Sequence, residues 1–239
     1  MIVKTPVIHF QDDTFMILQK PSGWIVNEAT TTKDQPVIQT WIKETQKFDI
    51  AHSDPFRSGI VHRLDKETSG ALVIAKTENA FTDIQSQFKE RVVKKTYRAL
   101  VHEYVQPESG SIDVPVGRLP WRRDRFGVLP GGRSAVTVYT TINHYKKAQN
   151  RFTYVELYPE TGRTHQIRIH MKHLNNSLVA DEFYAGRKTA RNDRKWCPRL
   201  FLHAYSIEFI HPVTKENVSF EVPLAPDLAE VLETLQLQE

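Results

Sequence analysis

Apolar residues in this chain come in runs that suit strands and a few amphipathic helices, and this pattern limits the possible folds most. VIHF at 7–10 and TFMIL at 14–18 flank the turn pair Asp12-Asp13 and read as a hairpin. ALVIAK at 71–76 reads as a buried strand, and TYRALVH (96–102), AVTVYTTI (135–142), FTYVELY (152–158), LFLHAYSIEFI (200–210) and VSFEV (218–222) read as further strands. Helical spacing appears at 36–47, where Val37, Ile38, Trp41 and Ile42 follow Pro36 as a first-turn residue. It recurs at 78–91 (Phe81, Ile84, Phe88), at 164–174 with Thr164 as the N-cap, and at 226–237 (Leu228, Leu232, Leu235). Hairpin-like strand pairs with occasional helices, instead of regular β-α-β alternation, predict an α+β fold with largely antiparallel sheets. No repeat or linker interrupts the pattern, so a single domain over 1–239 is expected.

Apolar runs such as ALVIA at 71–75 are far short of the roughly 20 residues a membrane helix needs. The opening MIVKTPVIHF has no basic segment followed by a long apolar stretch, so a secretory signal is not expected. A single cysteine, Cys197, excludes an internal disulfide framework and a Cys-rich zinc site. These features predict a cytoplasmic protein.

The net charge is only +4, but its distribution is uneven. GRLPWRRDRFGVLPGGR at 117–133 carries Arg118, Arg122, Arg123, Arg125 and Arg133 against a lone Asp124, on what reads as a loop or an irregular hairpin. GRKTARNDRKWCPR at 186–199 reads as a second basic loop, and KKTYR at 94–98 is a third cluster. Arginines interleaved with Trp and Phe suit a phosphate backbone and unstacked bases, although solvated loops would look the same.

Three constellations could carry chemistry. His62-Arg63-Leu64-Asp65-Lys66-Glu67-Thr68-Ser69-Gly70 crowds five ionisable groups into a loop at a strand mouth. Without context, Asp65 is as easily a turn former. In Thr161-Gly-Arg163-Thr-His165-Gln-Ile-Arg168-Ile-His170, His165 and Arg168 share a face if all are helical, while Ile167 and Met171 pack inward. The third is Tyr97 of Lys-Lys-Thr-Tyr-Arg, which alone reads as a half-buried strand tyrosine.

Together these segments closely resemble the RluA-type family of RNA pseudouridine synthases. The resemblance rests on Lys20-Pro-Ser-Gly23, His62 to Gly70, Lys95-Thr-Tyr97 and Gly162 to His170, with Leu202-His-Ala204 and His211-Pro212 like the family's late segment. It runs in family order from about residue 8 to 225 and looks most like the ribosomal large-subunit branch. Many relatives carry an N-terminal S4-type RNA-binding domain; here the pattern starts within the first ten residues, so none is expected. The resemblance implies a mixed, mostly antiparallel sheet flanked by helices around a central RNA-binding cleft. It also implies isomerisation of RNA uridine to pseudouridine, with no nucleotide, redox or metal cofactor.

For the site, the resemblance assigns Asp65 as the essential carboxylate, Arg168 as the fixed cation that keeps it ionised, and Tyr97 as the partner stacked on the base and a proton relay. Arg63 is assigned to base flipping, with His62 assisting, since a uridine in folded RNA must leave its stack. Leu202 would line the uracil pocket, while Lys20 and Pro21 shape the cleft floor. On charge and composition, the basic loops 117–133, with Arg122, Arg123 and Arg125, and 186–199 are expected to clamp the RNA phosphates, and Arg163 and His165 are expected to bind RNA. Ribosomal RNA is the expected substrate, transfer RNA the alternative, and a monomer the default.

Two other classes compete. A metal-dependent nuclease would use the histidines, but His165 and His170 lie about 140° apart on a helix and on opposite faces of a strand. His170 and His173 could share a face, yet no carboxylate sits in that turn. A non-catalytic RNA-binding or ribosome-assembly module would share the basic loops but would not need Asp65.

Overall fold

The computed structural model describes residues 5–32, 34–120 and 122–238, apart from the side chains of Arg123 and Asp124. Its strands are β1 Val7–Gln11, β2 Phe15–Lys20, β3 Ser69–Ala75, β4 Lys94–His102, β5 Ser109–Asp113, β6 Val116–Leu119, β7 Arg122–Val128, β8 Val136–Lys147, β9 Asn150–Pro159, β10 Leu202–Ile210, β11 Asn217–Glu221 and β12 Gln236–Gln238. The helices are α1 Ile38–Thr45, α2 Glu78–Lys89, α3 Gln166–His173, α4 Arg187–Asp193 and α5 Pro226–Glu233. The class is α+β, with mostly antiparallel strands. Two compact units divide the chain: Met1–Lys94 with Ala204–Pro223, and Lys95–His203 with Leu224–Glu239.

In the first unit the strand order is β1-β2-β3-β10, with β11 on β10. Asp12 makes the expected β1–β2 turn by accepting from the backbone N–H of Thr14 and Phe15. Every residue of β3 is buried, and Phe15 to Leu18 of β2 are fully so, which is why these strands read as unbroken apolar runs. α2 is capped by the Thr77 hydroxyl, which accepts from Ala80 N–H, and buries Phe81 and Ile84 against Val73, Ala75 and Phe209.

In the second unit the order is β4-β9-β8-β12, with β5 also on β8. Its core gathers Ala99, Val101, Leu157, Ile167, Met171 and Leu202, and a neighbouring cluster holds Phe152, Phe201, Leu228 and Val231.

Four local expectations need correction. α1 starts at Ile38, not Pro36, because Val37 is held extended in a bridge to Ile25. The closing helix stops at Glu233, since Gln236–Gln238 pair with Lys146–His144 at the edge of β8 and tertiary pairing overrides the helical spacing. The basic segment 186–199 is not all loop: it contains α4. α3 starts at Gln166, so Thr164 is not its N-cap. The segment 117–133 takes the irregular hairpin form, β6 against β7 with a register shift between Arg118 and Leu119. Among the described residues no helix is long and apolar enough to cross a membrane.

Candidate active site

The first unit holds the His62–Gly70 segment. Gly70 is required by its backbone: at φ +116° a Cβ would lie 2.2 Å from the Ala204 carbonyl oxygen. Asp65 and Thr68 close a tight turn, with the Thr68 N–H donating to the Asp65 carbonyl at 3.1 Å. Arg63 is exposed, Leu64 is buried, and Asp65 is half-buried.

The Lys20-Pro-Ser-Gly segment clamps this turn from beneath. Lys20 is fully buried, and its ammonium donates to the carbonyls of Pro21, Trp24 and Lys66 at 3.0, 2.8 and 3.1 Å. Ser22 Oγ donates to the Glu67 carbonyl and Gly23 N–H to the Lys66 carbonyl, at 2.7 and 2.8 Å. Lys20 thus acts as a structural cation beneath the turn. Lys20→Met should cost about 2–3 kcal/mol, because it strips a charged donor from buried carbonyls. Urea unfolding would measure this, and an unchanged midpoint would refute the clamp.

His62 is fixed too. Its Nε2 accepts from Val73 N–H at 2.9 Å, so the ring carries its proton on Nδ1, and it stacks on Phe88 with centroids 4.7 Å apart. The loop is anchored to β3 through this ring.

In the second unit Tyr97 is half-buried on β4 opposite Leu157, at the margin of the core that contains Leu202. Leu202 itself is buried in that core. Gln166 organises the approach to α3. Its Oε1 accepts from the Thr161 hydroxyl and Arg163 N–H, while Nε2 donates to the Val136 carbonyl and Thr137 hydroxyl. This wiring ends the turn at His165, which sits in the left-handed region at φ 56°, outside the helix. The expected shared helical face of His165 and Arg168 therefore does not form.

His165 Nδ1 lies 2.9 Å from the Tyr184 hydroxyl, which donates to the Phe126 carbonyl; Nδ1 is thus the donor to Tyr184. Arg163 Nε donates to the Ser134 carbonyl. Arg125 donates to the Phe183 carbonyl at 2.8 Å, and Arg122 is exposed at the start of β7. The Arg123 side chain lies outside the described residues.

Arg168 is 2% exposed. Its Nε and Nη2 donate to the two carboxylate oxygens of Asp181, both at 2.8 Å, and Asp181 also accepts from Phe183 and Tyr184 N–H. The guanidinium carbon lies 5.3 and 5.2 Å from the centroids of the Phe183 and Tyr184 rings. Asp181 was missed in the sequence because nothing local marks it: its partner is 13 residues away, across a helix end.

His170 is fully buried between the Thr137 hydroxyl (2.9 Å) and the Val114 carbonyl (3.2 Å), which occupies both ring nitrogens. Burial, reinforced by His173, pushes its pKa below the ordinary 6.5 against the opposing pull of the Val114 carbonyl and Asp113. The unfolded chain then takes up this proton first, so stability present above about pH 6.5 is lost as pH falls toward the depressed native value. A His170→Gln variant should show a flatter stability–pH curve between pH 7 and 5 by urea unfolding; identical slopes would exclude His170 as the source. Among the described residues, no three His, Cys, Asp or Glu side chains come together to hold a metal ion.

A family model described as RNA pseudouridylate synthase matches residues 14–173. Ribosomal large subunit pseudouridine synthase D of Neisseria meningitidis serogroup B is 38% identical over 242 residues, covering 97% of this chain and 61% of that protein. An uncharacterized RNA pseudouridine synthase of Bacillus subtilis, YlyB, is 35% identical over 229 residues, covering 96% of this chain and 72% of that protein. The human structure titled RNA Pseudouridylate Synthase Domain Containing 1 superposes with a TM-score of 0.76 at 25% identity, covering 99% of this chain and 90% of that one. The chain thus spans about three fifths of the Neisseria protein and about seven tenths of the Bacillus one.

Proposed function

Since the chain belongs to the RNA pseudouridylate synthase family, we propose that it isomerises uridine to pseudouridine in RNA. The observation that carries this reading is the Asp65 turn, set on β3 through Gly70 and clamped by the buried Lys20. A chain that only bound RNA would have no use for an acidic side chain on so constrained a turn.

The reaction breaks the N1–C1′ bond of a uridine, turns the released uracil, and joins C5 to C1′. The C5 hydrogen leaves and N1 gains a proton, so no atom is gained or lost. Asp65 is the carboxylate on which cleavage depends. Arg168 supplies a permanent positive charge. Its Nε and Nη2 are held by Asp181, which fixes the plane of the guanidinium. Tyr97 stacks on the base and relays a proton, and Leu202 backs the uracil. Arg63, exposed beside the turn, fills the gap left by the flipped nucleotide, while His62 keeps that loop in place. Arg122, Arg123, Arg125, Arg163 and His165 contribute to RNA binding.

The substrate is ribosomal RNA, in keeping with relatives named for the ribosomal large subunit. The reaction needs no cofactor, and the protein acts as a cytoplasmic monomer. The test uses RNA carrying tritium at uridine C5. Purified protein should release tritium to water from large-subunit ribosomal RNA, with chelator present throughout. Release from transfer RNA alone would reassign the substrate, and release from neither would refute the activity.

A further inference from the structure

Three elements of the second unit converge on one small depression. Arg125 comes from β7, Phe183 from the turn after Asp181, and Arg187, Arg191 and Arg194 from α4 and the residue that follows it. Arg187, Arg191 and Arg194 are spaced i, i+4 and i+7, so they share one face of the helix. The depression measures about 440 Å³, toward the small end of the roughly 300–1,000 Å³ typical of ligand pockets.

Phe183 leaves 40% of its surface exposed. It is nevertheless firmly held. Its N–H donates to Asp181, its carbonyl accepts from Arg125, and the guanidinium carbons of Arg125 and Arg168 lie 5.6 and 5.3 Å from its centroid. Glu182, the one carboxylate in the lining, is exposed and meets Arg194 at 3.4 Å. Four positive charges against one, with Arg187 and Arg191 at i, i+4, weaken the helix in the free protein and favour an anion.

We propose that this depression is an RNA-anchoring subsite: its arginines take a phosphodiester of a single-stranded segment, and Phe183 stacks against the attached base. Arginine forks match phosphate oxygens bidentately, and an exposed, fixed aromatic ring accepts any base by its face. An acidic peptide would satisfy the arginines but leave the ring unused. The inference rests on the RNA reading above and names a contact which that reading leaves open.

The test is binding of a short labelled pyrimidine-rich oligoribonucleotide to the whole protein across a salt series, with thermal melts confirming that each variant is folded. Arg187→Ala with Arg191→Ala should weaken binding about tenfold or more and flatten the slope of log affinity on log salt by about 0.7 per phosphate lost. Phe183→Leu should keep the slope, weaken binding of the intact strand, and leave an abasic strand unaffected. Glu182→Gln should tighten binding, whereas Lys215→Ala, a charge removed from the first unit, should not reproduce the arginine effect.

Wild-type affinity and slope in the double arginine variant would overturn the proposal. So would equal losses for intact and abasic strands in Phe183→Leu. Displacement of the oligonucleotide by inorganic pyrophosphate at equal phosphate concentration would reassign the site to a free anion, and displacement by a polyglutamate peptide to an acidic partner. Turnover plays no part in these readings. A protein that binds as expected but releases no tritium would refute the activity and leave the subsite standing.

Discussion

Asp65→Asn is expected to lower pseudouridine formation by at least about 10³-fold while leaving the protein folded and bound to RNA. The size follows from the role proposed for Asp65 in bond cleavage, an effect that appears in turnover instead of affinity. The specificity follows from the turn. The bond that closes it uses the Asp65 backbone carbonyl, which Asn retains, and Asn is itself a good turn residue. Replacing a carboxylate with an amide also removes a negative charge facing RNA, so affinity should hold or rise. Tritium release, RNA binding and a thermal melt on the same preparation distinguish the cases. A melting point several degrees lower, or a tenfold loss of affinity, would make Asp65 a structural residue.

The second large effect concerns Arg168. Its pairing with Asp181 is almost completely buried, with side-chain exposures of 3% and 0%. Breaking one side of such a pair strands the other charge in a poorly solvated interior, so Arg168→Ala should destabilise the second unit by about 3–5 kcal/mol. Loss of activity in that variant alone would therefore say nothing about catalysis. Arg168→Met combined with Asp181→Asn answers the question. The new amide oxygen still accepts from Phe183 and Tyr184 N–H, and no charge is stranded. This double variant should recover most of the lost stability in urea unfolding yet show little tritium release. If stability and activity return together, Arg168 is only a structural partner of Asp181. Arg168→Lys is a third reading: it keeps the charge but loses the planar fork, so it should impair both properties to intermediate degrees.

Strand-sized segments were legible in the sequence wherever burial left a simple pattern. β3 is buried along its whole length and β2 from Phe15 to Leu18, so both read as continuous apolar runs, and α2 carries both its hydrophobic face and its Thr77 cap in local sequence. Reading failed where distant partners set the structure. β12 exists because an edge of β8 is available to Gln236–Gln238, and α1 begins late because Val37 bridges to Ile25. β5, paired with Val136–Thr140 and contributing only Ile112 to the core, gave no usable apolar signal in SGSID. α4 was hidden by its own charge, since a short helix with few apolar residues shows no amphipathic period.

The candidate site divides along the same line. Sequence alone marked the candidates for chemistry: Asp65 in its His-Arg-Leu-Asp loop, Tyr97, and Arg168 in its Gly-Arg-Thr-His-Gln segment. Those are matters of residue type and short spacing, which the primary structure carries directly. Only the tertiary structure decided what holds them. Lys20 clamps a turn 46 residues away, Gln166 ties α3 to β8, Asp181 takes the Arg168 fork, and α4 brings its arginines to Phe183. The first two join segments 46 and 30 residues apart, and the other two join neighbouring elements across the turns between them. No local pattern specifies such partners, because their positions are set only when the strands and helices pack.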